Sequence, residues 1–188
     1  MTPEKREELI RRVRDQVIKE ASNRYRQRAE VYVKNDKGLV LGGLFPDGTF
    51  GSFGGGVEKN ETLAQAARRE LLEEAGIEVT NLRQVNIDPV KYLWDRGRQK
   101  EKGFKGSETH FFIGDYADRK RKVPGETTNL DNVRWRHPTT ALSYLNPGDG
   151  ENLDQTEARR KVMHQILKKT SGEAVSSLIP LIAALLET

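Results

Sequence analysis

The sequence predicts an α/β protein in which a mixed β-sheet carries helices on both faces. Segments with alternating apolar residues and segments with helical periodicity both occur, and they do not alternate strictly as strand–helix–strand units. The length of 188 residues suits one ordinary domain with an additional helix or two. A chain of this size buries a sizeable core without disulfide bonds.

The composition excludes several classes of protein. The chain has no cysteine, which rules out disulfides, cysteine zinc sites and thiol catalysis. Its formal net charge of +4 permits an anionic substrate without requiring a nucleic-acid groove. The amino terminus is charged from its fourth residue, and the longest apolar run, Leu178–Leu186, is shorter than a membrane span. We therefore expect a cytoplasmic protein with no membrane association.

The two ends of the chain are predicted to be helices added to a central domain at 29–170. Residues 1–28 form an amphipathic helix that begins near Pro3. Its apolar stripe comprises Leu9, Ile10, Val13, Val17 and Ile18. Residues 171–188 form an apolar helix. Each terminal helix packs either on the domain or on a second subunit, so a homodimer is one possible arrangement.

The central domain is predicted to begin with a β-hairpin that turns at Asn35–Gly38, followed by a second turn at Phe45–Gly48. A helix over Glu61–Ala75 ends at Gly76, a residue type favoured for a left-handed cap. The remaining predicted elements are strands at about 77–87, Thr109–Tyr116 and Asn132–Trp135, and a helix at Glu151–Lys169.

Three carboxylates share one face of the predicted helix that follows the glycine run. Glu70, Glu73 and Glu74 lie within an arc of about 100°, given a period of about 3.6 residues per turn. Carboxylates so close together repel one another at neutral pH. A hard divalent cation removes that repulsion, because Mg²⁺ and Mn²⁺ prefer oxygen ligands. The spacing therefore predicts a metal site.

The glycines before the helix suit the same purpose. Gly54, Gly55 and Gly56 have no side chain, so the backbone can approach a ligand closely. Arg69 can pair with Glu73 one turn later, or with Glu61, and hold a carboxylate in place.

The segment from Gly55 to Ile77 resembles the signature of the Nudix hydrolase superfamily, G-x5-E-x7-R-E-U-x-E-E-x-G-U, in which U is aliphatic. The nine specified positions are all matched, by Gly55, Glu61, Arg69, Glu70, Leu71, Glu73, Glu74, Gly76 and Ile77. The resemblance implies an α/β/α sandwich and a metal-dependent hydrolase that cleaves a nucleoside diphosphate linked to another group.

The resemblance also implies roles for individual residues. Glu70, Glu73 and Glu74 would be catalytic residues that bind Mg²⁺ or Mn²⁺, and the Gly55 carbonyl would be a further metal ligand. Arg69 would orient the carboxylates, whereas Glu61 would be structural or would hold a neighbour of the metal ligands in place.

Which glutamate acts as general base stays open. The family often uses another acidic residue outside the signature. We favour Glu126 for this catalytic role over Asp131 and Glu108, and the alternative is that Glu126 is an ordinary solvated glutamate of a loop.

A basic segment between two predicted strands supplies candidates for substrate binding. Arg96, Arg98, Lys100 and Lys105 could meet substrate phosphates from a loop over the cleft. The alternative is a mobile, solvated loop. Tyr92 and Trp94 could stack on a base or pack in the core.

The leading hypothesis for the function is a pyrophosphohydrolase. Nucleoside triphosphates, nucleotide sugars, dinucleoside polyphosphates and the 5′ end of triphosphorylated RNA all stay open as substrates. The alternative is a nucleotide-binding sensor of the same fold that lacks turnover. An isopentenyl diphosphate isomerase, found on a related fold, would need a cysteine that this chain lacks.

Overall fold

The computed structural model describes residues 3–21, 23–46, 48–119, 131–145 and 153–168. The helices are α1 (Pro3–Ala21), α2 (Leu63–Ala75), α3 (Arg96–Lys102), α4 (Pro138–Ser143) and α5 (153–168). The strands are β1 (Tyr25–Lys34), β2 (Val40–Leu44), β3 (Phe50–Gly51), β4 (Phe53–Gly56), β5 (Ile77–Gln84), β6 (Val90–Leu93), β7 (Gly106–Arg119) and β8 (Asp131–Arg136).

Within the described residues, eight strands form one mixed sheet in the order β3-β2-β1-β7-β5. Three short strands lie off this path, because β4 pairs with β1, β6 with β7 and β8 with β2. The central pair, β1 and β7, is parallel over ten residue pairs from Tyr25↔Gly106 to Lys34↔Asp115. The sheet is therefore mixed, as the sequence predicts.

Helices cover both faces of the sheet, which confirms the predicted α/β/α layering. One core lies between the sheet and α2, where Ala66, Ala67 and Leu71 pack against the odd-numbered residues of β1. The other core lies beneath α4 and α5, where Val162, Met163 and Ile166 belong to the cluster that includes Tyr32 of β1. Strand side chains alternate between faces, so neighbouring residues of β1 serve different cores.

The amino-terminal helix is shorter than predicted. It ends at Ala21, and Tyr25–Arg28 belong to β1 rather than to the helix. Leu9, Ile10 and Val13 are exposed, so these three residues do not pack on the domain in the single chain. Packing on a second subunit stays a prediction.

Some elements confirm the sequence-based expectation and others differ from it. The hairpin of β1 and β2 is confirmed, and in its turn the Asn35 carbonyl accepts a hydrogen bond from the Gly38 amide. The short strands β3, β4 and β6 and the helix α4 were not predicted. The predicted helix at 171–188 lies outside the described residues. Among the helices that the structure describes, none is long and apolar enough to cross a bilayer.

Candidate functional site

Helix α2 is held at both ends by local interactions. The Thr62 side chain accepts a hydrogen bond from the Gln65 amide, and the Gln65 side-chain oxygen accepts one from the Thr62 amide, forming a capping box. Gly76 ends the helix in the left-handed conformation at φ 65°, as the sequence predicts. The helix start is at Leu63 rather than Glu61. These caps determine where the glutamates in the last turns lie.

The glycine strand β4 lies beside the carboxylates of α2. The Gly54 amide donates a 2.9 Å hydrogen bond to Glu74 Oε2. Gly55 lies so close to Glu70 that a Cβ at this position would overlap the carboxylate. Since β4 pairs with β1 through Ala29↔Gly55, the sheet and the helix both position this contact. Only glycine therefore allows the backbone and the Glu70 carboxylate to meet here.

Arg69 connects three carboxylates and one backbone carbonyl. Its Nε and one terminal nitrogen bind Glu61 at 2.9 and 3.0 Å. The other terminal nitrogen donates to Glu70 at 2.9 Å and to Glu73 at 2.8 Å. The terminal nitrogen that binds Glu61 also donates to the Gly56 carbonyl at 2.9 Å. Arg69 thus connects Glu61, the glycine strand and the carboxylates of α2.

The pKa values of two glutamates at this site are shifted in opposite directions. Hydrogen bonds from Arg69 hold the pKa of Glu61 below its ordinary value. Burial raises the pKa of Glu70, although Arg69 offsets part of this effect. The sequence-based argument that these carboxylates need a metal to be tolerated is therefore incomplete, because Arg69 already supplies a positive charge.

The residues present have the chemistry that a hard divalent cation requires. Glu70, Glu73 and Glu74 offer carboxylate oxygens within two helical turns, and the Gly55 backbone is in contact with one of them. No three acidic or histidine side chains converge on one point among the residues that the structure describes. Glu70 and Glu73 instead face Arg69. The donor set fits the metal, but its side chains are not arranged around one.

Two arginines near the site were missed in the sequence analysis. An added Cβ at Gly56 would meet the Arg26 guanidinium, and Arg28 is close enough to Glu70 to oppose the rise in its pKa. Both arginines share a sheet face with Glu30, because residues two apart on a strand point the same way. Their sequence signal is weak, since β1 was predicted to begin after them.

A buried ion pair lies behind the glycine strand. Glu30, which pairs with Gly54 in the sheet, accepts a hydrogen bond from Arg159 Nε of α5 at 3.0 Å. The hydroxyls of Tyr32 and Ser52 each donate to Glu30 at 2.8 Å. Burial alone would raise the pKa of Glu30, but Arg159 and the two hydroxyls more than offset it, so the pKa is lowered. This network ties α5 to the strand that carries the site.

The three candidates for an additional acidic residue lie in different parts of the chain. Glu108 lies on β7, accepts a 3.2 Å hydrogen bond from Gln27 and is 3.7 Å from His110. Asp131 is the first residue of β8. Glu126, the favoured candidate, lies outside the described residues. The structure therefore leaves its catalytic role as a prediction.

The basic segment is a helix and not the loop that the sequence analysis expected. Arg96, Arg98 and Lys100 lie on α3, which Asp95 caps by accepting a hydrogen bond from the Arg98 amide. All three side chains are exposed. Lys105 follows the helix and is half-buried. Trp94 is buried, whereas Tyr92 is exposed.

A cleft of about 680 Å³ lies between β6 and α5. Its lining carries both signs of charge, including Asp88, Lys91, Glu157 and Lys161. Strands β1 and β7 separate β6 from β4 in the sheet, so the cleft and the glycine strand are three strand spacings apart, about 14 Å.

Together, the fold and the site define an α/β/α protein with a glycine strand set against a carboxylate-bearing helix. The model of the NUDIX domain matches residues 24–157 of the chain. The chain therefore belongs to the Nudix family.

Individual relatives agree with this assignment. The oxidized purine nucleoside triphosphate hydrolase of Danio rerio is 48% identical over 60 residues, which are 30% of this chain and 38% of that protein. The chain thus matches well under half the length of this curated relative.

Two solved structures share the fold. The E. coli dihydroneopterin triphosphate pyrophosphohydrolase superposes with a TM-score of 0.53 at 20% identity, covering 76% of this chain and 97% of that one. The MutT protein of Bacillus halodurans has a TM-score of 0.50 at 19% identity, covering 74% of this chain and 82% of that one.

Proposed function

We propose that this Nudix protein is a metal-dependent pyrophosphohydrolase that cleaves a phosphoanhydride bond in a nucleoside diphosphate-linked substrate. The observation that carries this proposal is the contact between the glycine strand and the carboxylates of α2. Glu74 accepts the Gly54 amide, and Glu70 lies directly against Gly55. The glycine strand therefore lies next to carboxylate oxygens, and carboxylates and backbone carbonyls are the ligands expected at a site for Mg²⁺ or Mn²⁺.

Glu70, Glu73, Glu74 and the Gly55 carbonyl would hold the cation. When bound, it would neutralise phosphate oxygens and lower the pKa of an attacking water. Arg69 would then lose part of its hydrogen bonding to Glu70 and Glu73. It would keep its hydrogen bonds to Glu61 and to the Gly56 carbonyl, so it would stay attached to the glycine strand. Arg26 and Arg28 would add positive charge at this end of β1, on the sheet face opposite α2.

The substrate is proposed to be a nucleotide. One relative described above is named as a nucleoside triphosphate hydrolase, which supports nucleoside triphosphates as the first candidates. The cleft beside α5 gives room for a group beyond the phosphates. Nucleotide sugars, dinucleoside polyphosphates and RNA 5′ ends therefore belong in the same assay. A cytoplasmic location is part of this proposal.

The test is a product-resolved assay. Purified protein is incubated with each nucleotide class under Mg²⁺, Mn²⁺ or a chelator, and phosphate, pyrophosphate and nucleoside monophosphate are separated. We expect turnover that needs the cation and releases a monophosphate or pyrophosphate. Nucleotide binding with no product under either cation would replace the proposal with that of a sensor.

A single substitution tests the site itself. Glu74→Gln keeps the side-chain shape but loses the charge, and we expect turnover to fall by at least about 10²-fold, the usual size of a lost catalytic group. Glu78→Gln removes an exposed carboxylate four residues later and should leave turnover unchanged. Equal activity in the two variants would exclude Glu74 from the site. Glu126→Gln, measured alongside, tests the additional acidic residue.

A further inference from the structure

One short segment on the surface of this protein carries an excess of positive charge. Residues 91–105 contain six Lys or Arg and two acidic residues, a net charge of +4. This equals the formal net charge of the whole chain, so all other charged residues together balance to zero. The segment covers the end of β6, helix α3 and the turn into β7. We call the exposed cations of this segment, together with Lys105, the basic surface: Lys91, Arg96, Arg98, Lys100, Lys102 and Lys105.

Three cations of the basic surface are held against aromatic rings. Lys91 and Lys105 lie 5.6 and 5.7 Å from the centre of the Tyr25 ring. The Arg98 guanidinium lies 4.7 Å from the ring of Trp94, which is buried. Contacts at these distances are attractive. These contacts restrict the cationic side chains before any ligand binds. The side chains therefore lose less conformational entropy when an anion binds them.

Backbone pairing connects the basic surface with the carboxylate site. The Lys105 amide donates to the Arg24 carbonyl at 2.8 Å, immediately before Tyr25. The next residue, Arg26, lies against Gly56 of the glycine strand. A line of cations therefore runs from Arg26, beside the glycine strand, along the start of β1 to α3. Its length exceeds that of one nucleotide, because α3 alone extends for about 10 Å at about 1.5 Å per residue.

Exposed apolar side chains adjoin these cations. Tyr92 and Leu93, at the end of β6, are 43% and 57% exposed and directly precede Trp94 and α3. Single-stranded nucleic acid offers the matching chemistry, since its backbone is a chain of phosphates and its unpaired bases have flat apolar faces. Duplex nucleic acid hides those faces. An inorganic polyphosphate has none.

We propose that the basic surface binds single-stranded nucleic acid, with phosphates on the cations of α3 and a base against Tyr92. This binding does not depend on the proposed hydrolysis. It gives the protein a second ligand site, distinct from the carboxylates of α2.

Fluorescence anisotropy with a labelled oligonucleotide tests the proposal. The strand is about 20 nucleotides long, as RNA and as DNA, and has a 5′ hydroxyl so that no anhydride bond is present. We expect binding at about 0.1 M salt that weakens as salt rises. The triple variant Arg96→Gln, Arg98→Gln, Lys100→Gln should bind at least tenfold more weakly. Its slope of log K against log salt should be smaller by about 2, from about 0.7 per phosphate contact.

A matched control removes three exposed cations from other surfaces: Lys37→Gln, Arg134→Gln and Lys168→Gln. This control should bind like the unmodified chain. Loss of affinity to the same degree in both triple variants would overturn the proposal, since only net charge would then matter. Arg96→Lys, Arg98→Lys keeps the charges and should retain binding, which separates lost contacts from a disturbed fold.

Tyr92→Ala tests the base contact. We expect an affinity for the oligonucleotide about tenfold lower, and no change in the affinity for inorganic polyphosphate. Duplex and polyphosphate should both bind more weakly than the single strand. If polyphosphate binds as tightly as the oligonucleotide and Tyr92→Ala changes neither, the surface is a general anion site and the proposal is wrong. Hydrolysis in the product assay, present or absent, has no bearing on this outcome.

Discussion

Arg69 is the residue on which the geometry of the carboxylate site depends. Its guanidinium reaches Glu61, Glu70, Glu73 and the Gly56 carbonyl at once. A planar group with five donors can do this, whereas a lysine ammonium has three donors on a single nitrogen. The site thus needs both the charge and the shape of arginine.

Arg69→Lys separates these two properties. The variant keeps the positive charge but loses the simultaneous contacts, so we expect the free energy of unfolding to fall by about 1–3 kcal/mol, the usual cost of unsatisfied polar partners. Turnover should fall at least about tenfold, because misplaced groups reduce rates steeply. Urea unfolding and steady-state kinetics measure the two effects. Unchanged values for both would show that charge alone suffices. Arg134→Lys, at an exposed position on β8, is the control.

Among the elements, α2 was the easiest to predict from the sequence. Its caps, its period and its glutamates all lie within one local stretch, and the Thr62 and Gly76 ends follow residue preferences. Helix α3 was missed because it is short and polar, contains Gly97, and has no buried side chain to give an apolar period. Arg26 and Arg28 were missed because only pairing of β1 with β4 brings them to the site. Interactions between distant residues, such as Glu30 with Arg159, leave no local pattern.

The cap of α2 contributes directly to stability. Thr62→Ala removes the side-chain acceptor for the Gln65 amide, and we expect a loss of about 1 kcal/mol in the free energy of unfolding, within the usual range for such caps. Chemical denaturation is the measurement. Thr140→Ala, at an exposed position in α4, should change stability by less than about 0.5 kcal/mol. Equal losses in the two variants would contradict the capping role.

The connection between α5 and the sheet depends on the charge of Glu30. Glu30→Gln leaves Arg159 buried without its counter-ion, so we expect a loss of about 3–5 kcal/mol at neutral pH. Because the folded state lowers the pKa of Glu30, the carboxylate stabilises the fold fully above its unfolded pKa of about 4.3. This stabilisation is lost as the pH falls through the lowered folded pKa.

Stability measured against pH checks this sign. The difference in free energy of unfolding between the unmodified chain and Glu30→Gln should be constant from neutral pH to about pH 5 and should shrink below the unfolded pKa of about 4.3. A difference that grows with acidity would mean that the network does not stabilise the carboxylate. Glu157→Gln, an exposed carboxylate of α5, should give no such pH dependence.

At the scale of the whole molecule, binding of the proposed cation should raise the free energy of unfolding of the domain. A ligand that binds only the folded state at 100 times its Kd adds about 2.7 kcal/mol. For a domain of this size that corresponds to a rise in Tm of about 5–10 °C, at about 2–4 °C per kcal/mol. Thermal unfolding with Mg²⁺ or Mn²⁺, against a chelator, measures this without any substrate. In Glu70→Gln the rise should be lost or sharply reduced; a full rise would place the cation elsewhere.

The parallel pairing of β1 with β7 has a consequence for how the chain matures. The two strands are 81 residues apart at Tyr25 and Gly106, so β1 has no partner on that side until β7 has left the ribosome. The closing of such a long loop is slow. A nascent chain that ends before Gly106 can form α2 and its caps, which are local, but its β1 is left with an open edge on that side. Protection of that edge by a chaperone, or by rapid synthesis, would therefore decide the yield of active protein.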